Sequence, residues 1–138
     1  MDLTPEQLDA FVTEVFPAST ADGLTCESVS EGEATVRWPL DEAQLRPGGY
    51  ISGPTQFRAA DLAFWFAVFS VIGLEPMSVT THLHITFLRP AVGGDLMARC
   101  RILRVGRTRI YGNVDLWIDG DPDQLVAHAV GGYSNPTA

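Results

Sequence analysis

Asp61 is the residue whose type and position most clearly indicate chemistry in this sequence. It lies near the start of a nearly continuous apolar run, 59–72, and a helix that is apolar on all sides is predicted to be buried. A lone carboxylate in such a place costs several kcal/mol unless it is paired, hydrogen-bonded or neutralised. Two explanations are open: an ion pair with Arg58, three residues earlier on the same helical face, or a carboxylate held in a cleft as a general base.

Two histidines on one strand face, His82 and His84, could bind a metal ion with His128 as a third ligand, as in a zinc hydrolase. However, no carboxylate or cysteine falls at ligand spacing around them, so we interpret them as polar residues of a solvated or interface face. The sequence also contains no nucleophile elbow, P-loop or dinucleotide-binding fingerprint. We therefore predict a site without a metal and without a cofactor.

Asp61 is positioned by a predicted central helix, 54–73. The Ser-Gly-Pro sequence at 52–54 can cap and start this helix, and Gly73 is a natural stop signal at its end. A shorter helix, 4–16, is predicted near the N-terminus because apolar residues recur there at helical spacing.

Alternating residue patterns and turn signals predict six strands around the central helix. They span 24–31, 33–38, 78–88, 96–105, 107–118 and 124–133. The first two are predicted to form a hairpin and the last four a meander, because tight turns connect antiparallel neighbours. On the strand 78–88, alternation places Leu83 on one face and Thr80 on the other.

These elements predict an α+β fold in which a curved antiparallel β-sheet wraps around one long central helix. Such a sheet covers only part of the helix and leaves its edge strands unpaired. A symmetric dimer would cover both, so we expect a homodimer.

The composition is that of an ordinary globular protein of one domain, 1–138. The longest apolar run, 62–74, is shorter than the roughly 20 residues that a membrane span needs, and the N-terminus lacks the features of a signal peptide. We therefore expect a cytoplasmic protein with no membrane partner. The net charge of −8 also disfavours nucleic acid as a partner.

Five of the nine basic residues fall within eleven positions and could together meet an anionic ligand. They are Arg99, Arg101, Arg104, Arg107 and Arg109. The alternative is that arginines on alternate strand positions face water, and we favour this interpretation for most of the five.

Several short segments, taken together and in this order, resemble the hotdog-fold acyl-CoA thioesterases, specifically the PaaI-like branch of the 4-hydroxybenzoyl-CoA thioesterase superfamily. The segments are Gly49-Tyr50-Ile51-Ser52-Gly53 leading to Ala59-Ala60-Asp61-Leu62-Ala63, Val79-Thr80-Thr81, Ile85-Thr86-Phe87-Leu88-Arg89-Pro90-Ala91, and Val105-Gly106-Arg107 followed by Val126-Ala127-His128-Ala129. The resemblance covers most of the chain and implies a hotdog fold that hydrolyses an acyl-CoA thioester.

By this resemblance, the backbone N–H of Gly53 holds the thioester carbonyl, and Asp61, eight residues later, is the general base or nucleophile. A helix N-terminus suits such a donor because its N–H groups are unpaired and its dipole end is positive. The resemblance also implies that the Thr80 hydroxyl positions the attacking water. It implies an active site across a dimer interface, with Gly53 and Asp61 from different subunits, and dimers that can pair into tetramers.

The resemblance further indicates which residues would bind the substrate. Arg107 matches the family's basic residue for the anionic end of coenzyme A, and Arg89 and Arg104 are additional candidates. Tyr50 and Phe57 are predicted to line the acyl pocket. Coenzyme A enters only as part of the substrate.

Two departures from the family's pattern leave a second function open. Ser52-Gly53-Pro54 stands where the family often has His-Gly-Gly, and Arg46 replaces an upstream Asn that helps to orient the thioester or the water. Ser52 and Arg46 are nonetheless counted as substrate-binding candidates. The alternative function is a non-catalytic protein that binds acyl-CoA or another acyl ligand on the same scaffold. A hydratase of this fold would need an Asp/His pair in a motif that the sequence lacks.

Overall fold

The computed structural model describes residues 2–137, and two α-helices and eight β-strands are present in this range. The helices are α1 (Pro5–Val15) and α2 (Gly53–Ile72). The strands are β1 (Thr25–Ser30), β2 (Glu33–Trp38), β3 (Leu45–Arg46), β4 (Tyr50–Ile51), β5 (Thr80–Phe87), β6 (Leu96–Val105), β7 (Arg109–Ile118) and β8 (Ala127–Ser134).

Six of the strands form one antiparallel sheet in the order β1-β2-β6-β7-β8-β5, and β3 pairs with β4 in the connection before α2. The predicted hairpin of β1 and β2 is confirmed. The predicted four-stranded meander is wrong, because β5 pairs with β8 rather than with β6. After β5 the chain therefore crosses from one edge of the sheet to its middle. The arrangement of one sheet around α2 is the α+β hotdog architecture that the sequence predicted.

The central helix α2 begins one residue earlier than predicted, at Gly53, and ends at Ile72. Ser52 is its N-cap, and Gly73 ends it with a φ of +93°, a conformation that favours glycine. The sheet buries most of the helix from Ala59 onward, as its apolar sequence requires. No helix within residues 2–137 is long and apolar enough to cross a membrane.

The first helix, α1, packs on β1 and on the C-terminal half of α2. Leu8 and Val12 are fully buried, and Phe11 meets Phe69 of α2 edge to face with 5.5 Å between ring centroids. The chain then turns through a short 3-10 helix, Pro17–Ser19. The C-terminal end of α1 and this turn are thereby held beside the middle of α2.

A β-bulge at the start of β5 decides which of its side chains face α2. The ladder with β8 skips Thr81: Thr80 and His82 pair with consecutive residues of β8. Thr80 contacts α2 through a hydrogen bond, and Leu83 and Ile85 pack against the core. The expectation that Thr80 lies on the face opposite Leu83 is wrong, because simple alternation does not allow for an inserted residue.

Ion pairs cross the strands on the outer face of the sheet. Arg37 of β2 pairs with Glu27 at 3.0 Å, Asp95 at 2.9 Å and Asp119 at 2.8 Å. Asp95 also accepts a hydrogen bond from the backbone N–H of Leu40 at 2.8 Å. This N–H first, and Arg37 in addition, hold the pKa of Asp95 below its ordinary value, although partial burial acts in the opposite direction.

Asp95→Asn is expected to remove a contribution to stability that exists only above acidic pH. Because the pKa of Asp95 is lower in the folded state, its carboxylate stabilises the fold at neutral pH and loses this effect as the pH falls through the folded-state value. We expect the free energy of unfolding to fall by about 1 kcal/mol at pH 7 and by much less near pH 3. Urea titrations at both pH values measure the difference.

The matched control for this prediction is Asp121→Asn, which changes an exposed carboxylate in the nearby turn. An equal loss of stability at both pH values in Asp95→Asn would contradict the assigned role of the carboxylate charge.

Candidate active site

Asp61 is held by two hydroxyl groups from the strands beside α2. Thr80 Oγ1 donates a hydrogen bond to Asp61 Oδ1 at 2.8 Å, and the Tyr133 hydroxyl donates to the same oxygen at 2.6 Å. The Tyr133 hydroxyl also lies 3.0 Å from the backbone carbonyl oxygen of Asp61. Within residues 2–137 no group donates to Oδ2 of Asp61, so one carboxylate oxygen is fixed and the other is left for a water or a substrate.

The structure decides between the two explanations for Asp61. The ion pair with Arg58 is wrong: Arg58 pairs with Asp22 in the loop after α1, with its Nε 3.1 Å from Asp22 Oδ2. Asp61 is half-buried and lines a cavity. The geometry therefore supports the second explanation, a carboxylate held in a cleft.

Tyr133 is a site residue that the sequence analysis missed. Its burial, and then the negative charge of Asp61, raise the pKa of Tyr133 well above its ordinary value, so its hydroxyl stays protonated and can donate. The sequence did indicate that Tyr133 faces inward, because alternation along its strand places it on the same face as the buried Ala127 and Ala129. A tyrosine that faces inward must find a partner for its hydroxyl.

Gly53 is the first residue of α2, so its N–H has no partner within the helix. No acceptor for this N–H lies among the residues that the structure describes. The second residue, Pro54, has no N–H to offer. A Cβ added at Gly53 would lie 3.2 Å from Cζ of Phe87, which makes this position crowded for any larger residue.

Ser52 and Gln56 order the chain at the start of α2. Ser52 Oγ accepts a hydrogen bond from the Thr55 N–H at 3.3 Å and donates to Thr55 Oγ1 at 3.0 Å. Gln56 is buried, and its Nε2 donates to the carbonyl oxygen of Ile51 at 3.1 Å. Ser52 thus caps the helix, and its contact with a substrate stays a prediction.

Gly53 and Asp61 of one chain are too far apart to act on the same group. At a rise of about 1.5 Å per residue, eight residues of helix separate them by about 12 Å along the axis. A reacting carbonyl would have to lie about 3 Å from both its hydrogen-bond donor and the attacking oxygen. The two candidates therefore fit one reaction only if a second chain supplies one of them.

Gly53 and Asp61 line two different cavities along α2. The larger, about 650 Å³, is lined by Asp61, Thr80 and Tyr133 together with apolar residues. The smaller, about 470 Å³, is lined by Gly53 and Phe87. Phe57 lines both and is 37% exposed, consistent with its predicted place in a pocket.

The remaining substrate-binding candidates fall into two groups. Arg46 and Tyr50 pair across β3 and β4 just before Gly53, and Arg89 follows β5 and donates to Gln124. All three are exposed. Their positions place them at the Gly53 end of the helix, where Phe87, the last residue of β5, also lies.

Arg104 and Arg107 form the second group, beside the turn between β6 and β7. This turn is near Tyr133, because Val105 pairs with Ile110 and Ile110 pairs with Tyr133. Both arginines are exposed. One chain therefore carries one group of arginines near Gly53 and a second group beside a strand turn that pairing links to Tyr133, a partner of Asp61.

Arg101 faces water, as the alternative predicted, whereas Arg99 is half-buried and its Nε is buried. Arg101 pairs with Glu33 at 2.9 Å on the outer face of the sheet, and the guanidinium of Arg99 lies 5.0 Å from the Trp117 ring centroid. These two arginines are therefore remote from the Asp61 cavity.

The histidines do not converge on one point. His128 Nδ1 lies 2.9 Å from Asp115 Oδ1, whereas His82 and His84 contact the threonines beside them on β5. Within residues 2–137, no three His, Cys, Asp or Glu side chains are grouped so that they could hold a metal ion.

Comparison with known proteins identifies sequences and structures similar to this one. The family model described as "Thioesterase superfamily" matches residues 48–124, more than half of the chain. A solved structure from Silicibacter sp. TM1040, described as a candidate thioesterase, is 33% identical with a TM-score of 0.87 and covers 99% of this chain and 94% of its own.

Two further matches extend this picture. A candidate esterase of Saccharolobus solfataricus is 28% identical over 109 residues, which make up 79% of this chain and 71% of the relative. The E. coli PaaI protein from the phenylacetic acid degradation operon is 24% identical with a TM-score of 0.76, and the match covers 94% of this chain and 96% of that chain. At this level of identity, the likeness to PaaI shows the fold.

Proposed function

We propose that this chain, which belongs to the thioesterase superfamily, hydrolyses an acyl-CoA thioester to a free acid and coenzyme A. The observation that carries the proposal is the Asp61 carboxylate, fixed through Oδ1 by two hydroxyl groups, while Oδ2 has no donor among the described residues and lies beside a cavity. A carboxylate held in this way is oriented for proton transfer to and from a bound water.

In the proposed reaction, Oδ2 of Asp61 takes a proton from water while the water oxygen bonds to the thioester carbonyl carbon. The carbonyl electron pair moves to its oxygen, and the Gly53 N–H donates a hydrogen bond to this oxyanion. The oxyanion then collapses, the C–S bond breaks, and the departing sulfur takes the proton from Asp61. The products are the free acid and the thiol of coenzyme A.

A second route uses Asp61 as the nucleophile. Its carboxylate oxygen would then attack the carbonyl carbon and expel the thiolate, leaving an anhydride that water hydrolyses. Label in Asp61 after a single turnover in ¹⁸O-labelled water would identify this route, because attack of water on the Asp61 carbonyl of the anhydride leaves the label in the protein, whereas attack on the acyl carbonyl leaves it in the free acid. In the general-base route all of the label appears in the free acid.

The active site is proposed to form between two chains. The separation of about 12 Å along α2 supports this arrangement, because Asp61 of one chain can then meet Gly53 of the partner subunit on one thioester. The two groups of arginines would also come together at such a site. We expect the phosphates of coenzyme A to meet Arg107 and Arg104 on one side and Arg46 and Arg89 on the other.

The direct test is release of free thiol from a panel of acyl-CoA esters. A matched set of p-nitrophenyl oxygen esters with the same acyl groups runs in parallel, because curated relatives are described as candidate esterases. We expect kcat/KM for the thioester to exceed that for the oxygen ester. Tight binding of acyl-CoA without thiol release would overturn the proposal and favour the non-catalytic binding protein.

Tyr133→Phe is expected to lower kcat by about tenfold with little change in KM. The variant removes one of two donors to Oδ1 of Asp61 and leaves Thr80 in place, and a hydrogen bond to a charged group is worth about 1.5–3 kcal/mol. The effect is measured by thiol release under saturating and limiting substrate. Tyr133 acts through Asp61, so it is a positioning residue.

Tyr111→Phe is the control for this variant, since Tyr111 is a half-exposed tyrosine of β7 whose hydroxyl does not contact Asp61. Thr80→Val should produce a loss in kcat similar to that of Tyr133→Phe. If Tyr133→Phe raises KM and leaves kcat unchanged, its hydroxyl contacts substrate and the positioning role is wrong.

A further inference from the structure

The cavity beside Asp61 has walls from three distant parts of the chain. Val15, Phe16 and Ala18, at the end of α1 and in the turn that follows, form one side. Leu62 and Trp65 of α2 line it in the middle. Met77 and Val79, in the connection between α2 and β5, also line it. The N-terminal helix thus contributes directly to a cavity that contains the candidate catalytic carboxylate.

Among the described residues, the lining of this cavity offers no unpaired cation for a charged ligand. Its charged side chains are Asp61 and Arg58. Arg58 already pairs with Asp22, and the free oxygen of Asp61 is reserved for water in the proposed reaction. A carboxylate carried by a ligand in this cavity would therefore lie against apolar side chains without a counter-ion, and its burial would be costly.

Large apolar side chains around this cavity are unusually exposed. Phe16 is 54% exposed, Met77 is 70% exposed and Val79 is 56% exposed. Exposed apolar side chains scattered singly are ordinary, but a cluster around a concave site marks a place where something apolar binds. The volume of about 650 Å³ is in the range of sites for organic ligands of moderate size.

We propose that this cavity is the acyl subsite and that it takes an uncharged hydrocarbon acyl group of six or more carbon atoms. The inference rests on the proposed function, because it places the thioester carbonyl next to Asp61 and the acyl group between α1 and α2. An acetyl group would leave most of the apolar lining in contact with water. A longer acyl group would remove this lining from water, and the end of α1 would set the upper limit on its size.

The test measures kcat/KM for acetyl-, butyryl-, hexanoyl-, octanoyl-, phenylacetyl- and succinyl-CoA. Each buried methylene group is expected to raise kcat/KM by up to about fourfold. We expect octanoyl-CoA to exceed acetyl-CoA by at least about tenfold, and succinyl-CoA to be a poor substrate. Octanoyl and phenylacetyl groups are both uncharged hydrocarbon groups of the required size. The ratio of kcat/KM for their two CoA esters shows whether the site prefers an aliphatic or an aromatic acyl group.

Ala18→Phe places a large side chain in the cavity wall that the turn after α1 contributes. It should lower kcat/KM for octanoyl-CoA by about tenfold or more, and the loss should become smaller as the acyl group becomes shorter. Ala10→Phe is the matched control, because Ala10 is an exposed residue of α1 that does not line the cavity. The proposed acyl subsite is wrong if Ala18→Phe lowers kcat/KM equally for all acyl lengths. It is also wrong if the native protein prefers acetyl-CoA or succinyl-CoA.

Binding to Asp61→Asn separates failure of this inference from failure of the proposed function. Calorimetry compares octanoyl-CoA with coenzyme A alone on Asp61→Asn and on the double variant with Ala18→Phe. Tighter binding of octanoyl-CoA that Ala18→Phe removes supports the subsite even if the native protein turns nothing over. Equal binding of octanoyl-CoA and coenzyme A overturns the proposed acyl subsite. The proposal also fails if Ala18→Phe changes the oligomeric mass and not the ligand preference, because a second copy of the chain then closes the cavity.

Discussion

Asp61→Asn is expected to lower kcat for acyl-CoA hydrolysis by about 100- to 10,000-fold, the range typical for loss of a general acid–base group. Asparagine has nearly the same shape, and its amide oxygen can still accept from Thr80 and Tyr133. Its NH₂ group cannot take a proton from water, however. Substrate binding and the fold should therefore survive while the chemical step is lost.

The measurement for this variant is thiol release, with circular dichroism and acyl-CoA titration as checks on the fold and on binding. Asp115→Asn is the matched control, since it removes a carboxylate that pairs with His128 on the outer face of the sheet. If Asp61→Asn keeps the native rate to within about threefold, another group activates the water and the assignment is wrong. The same conclusion would follow if Asp115→Asn lost as much activity as Asp61→Asn.

Gly53→Pro is expected to lower kcat by about 100- to 1,000-fold, because it removes the N–H that would donate to the oxyanion. Proline is tolerated at the first position of a helix, where its missing N–H would be unpaired in any case. The preceding Ser52 has φ −68° and ψ 156°, a conformation compatible with a following proline. The start of α2 should therefore survive the substitution, at a cost that Gly53→Ala shares because both variants add a Cβ directly before Pro54.

The control for Gly53→Pro is Gly53→Ala, which adds a Cβ and keeps the N–H. The added Cβ would lie 3.2 Å from the Phe87 ring, so a modest loss of activity is expected from crowding alone. The role of the N–H is measured by the difference in kcat between the two variants. Equal losses in both would show that space at Gly53, rather than its N–H, matters.

The central helix could be predicted from the sequence because its signals are local. Ser52 supplies a side chain that caps the first turn, and Gly73 takes the positive φ that ends the helix. The predicted start differs from the observed start by one residue, because Gly53 rather than Pro54 takes the first helical position. Nothing outside these few residues was needed to place the helix.

The strand order could not be predicted in the same way, because it depends on contacts distant in sequence. Turn signals favoured pairing of β5 with β6, its neighbour in the chain. In the structure Thr80 of β5 instead pairs with Tyr133 of β8, and β6 pairs with β2 and β7. Which strands become neighbours is decided by how the sheet closes around α2, and alternation within one strand carries no information on this.

The candidate site was predicted in part. The apolar run around Asp61, and the resemblance of the chain, indicated Asp61 and Gly53 as candidates, and the cavity beside Asp61 is consistent with that prediction. The partners of Asp61 were not predicted, because the Tyr133 hydroxyl reaches it from 72 residues away. The pairing of Arg58 with Asp22 was missed for a similar reason, since Asp22 lies in a loop without a periodic pattern.

The bulge at Thr81 means that the direction of the Thr80 hydroxyl depends on the register of β5 against β8 as well as on side-chain identity. Deleting Thr81 would remove the bulge and make Thr80 the direct neighbour of His82, so regular alternation would keep Thr80 on the face of Leu83, toward α2. The apolar half of β5, including Leu83 and Ile85, could keep its place against the core. The hydrogen bond from Thr80 to Asp61 should thus survive a one-codon deletion, a kind of change that substitution scans do not sample.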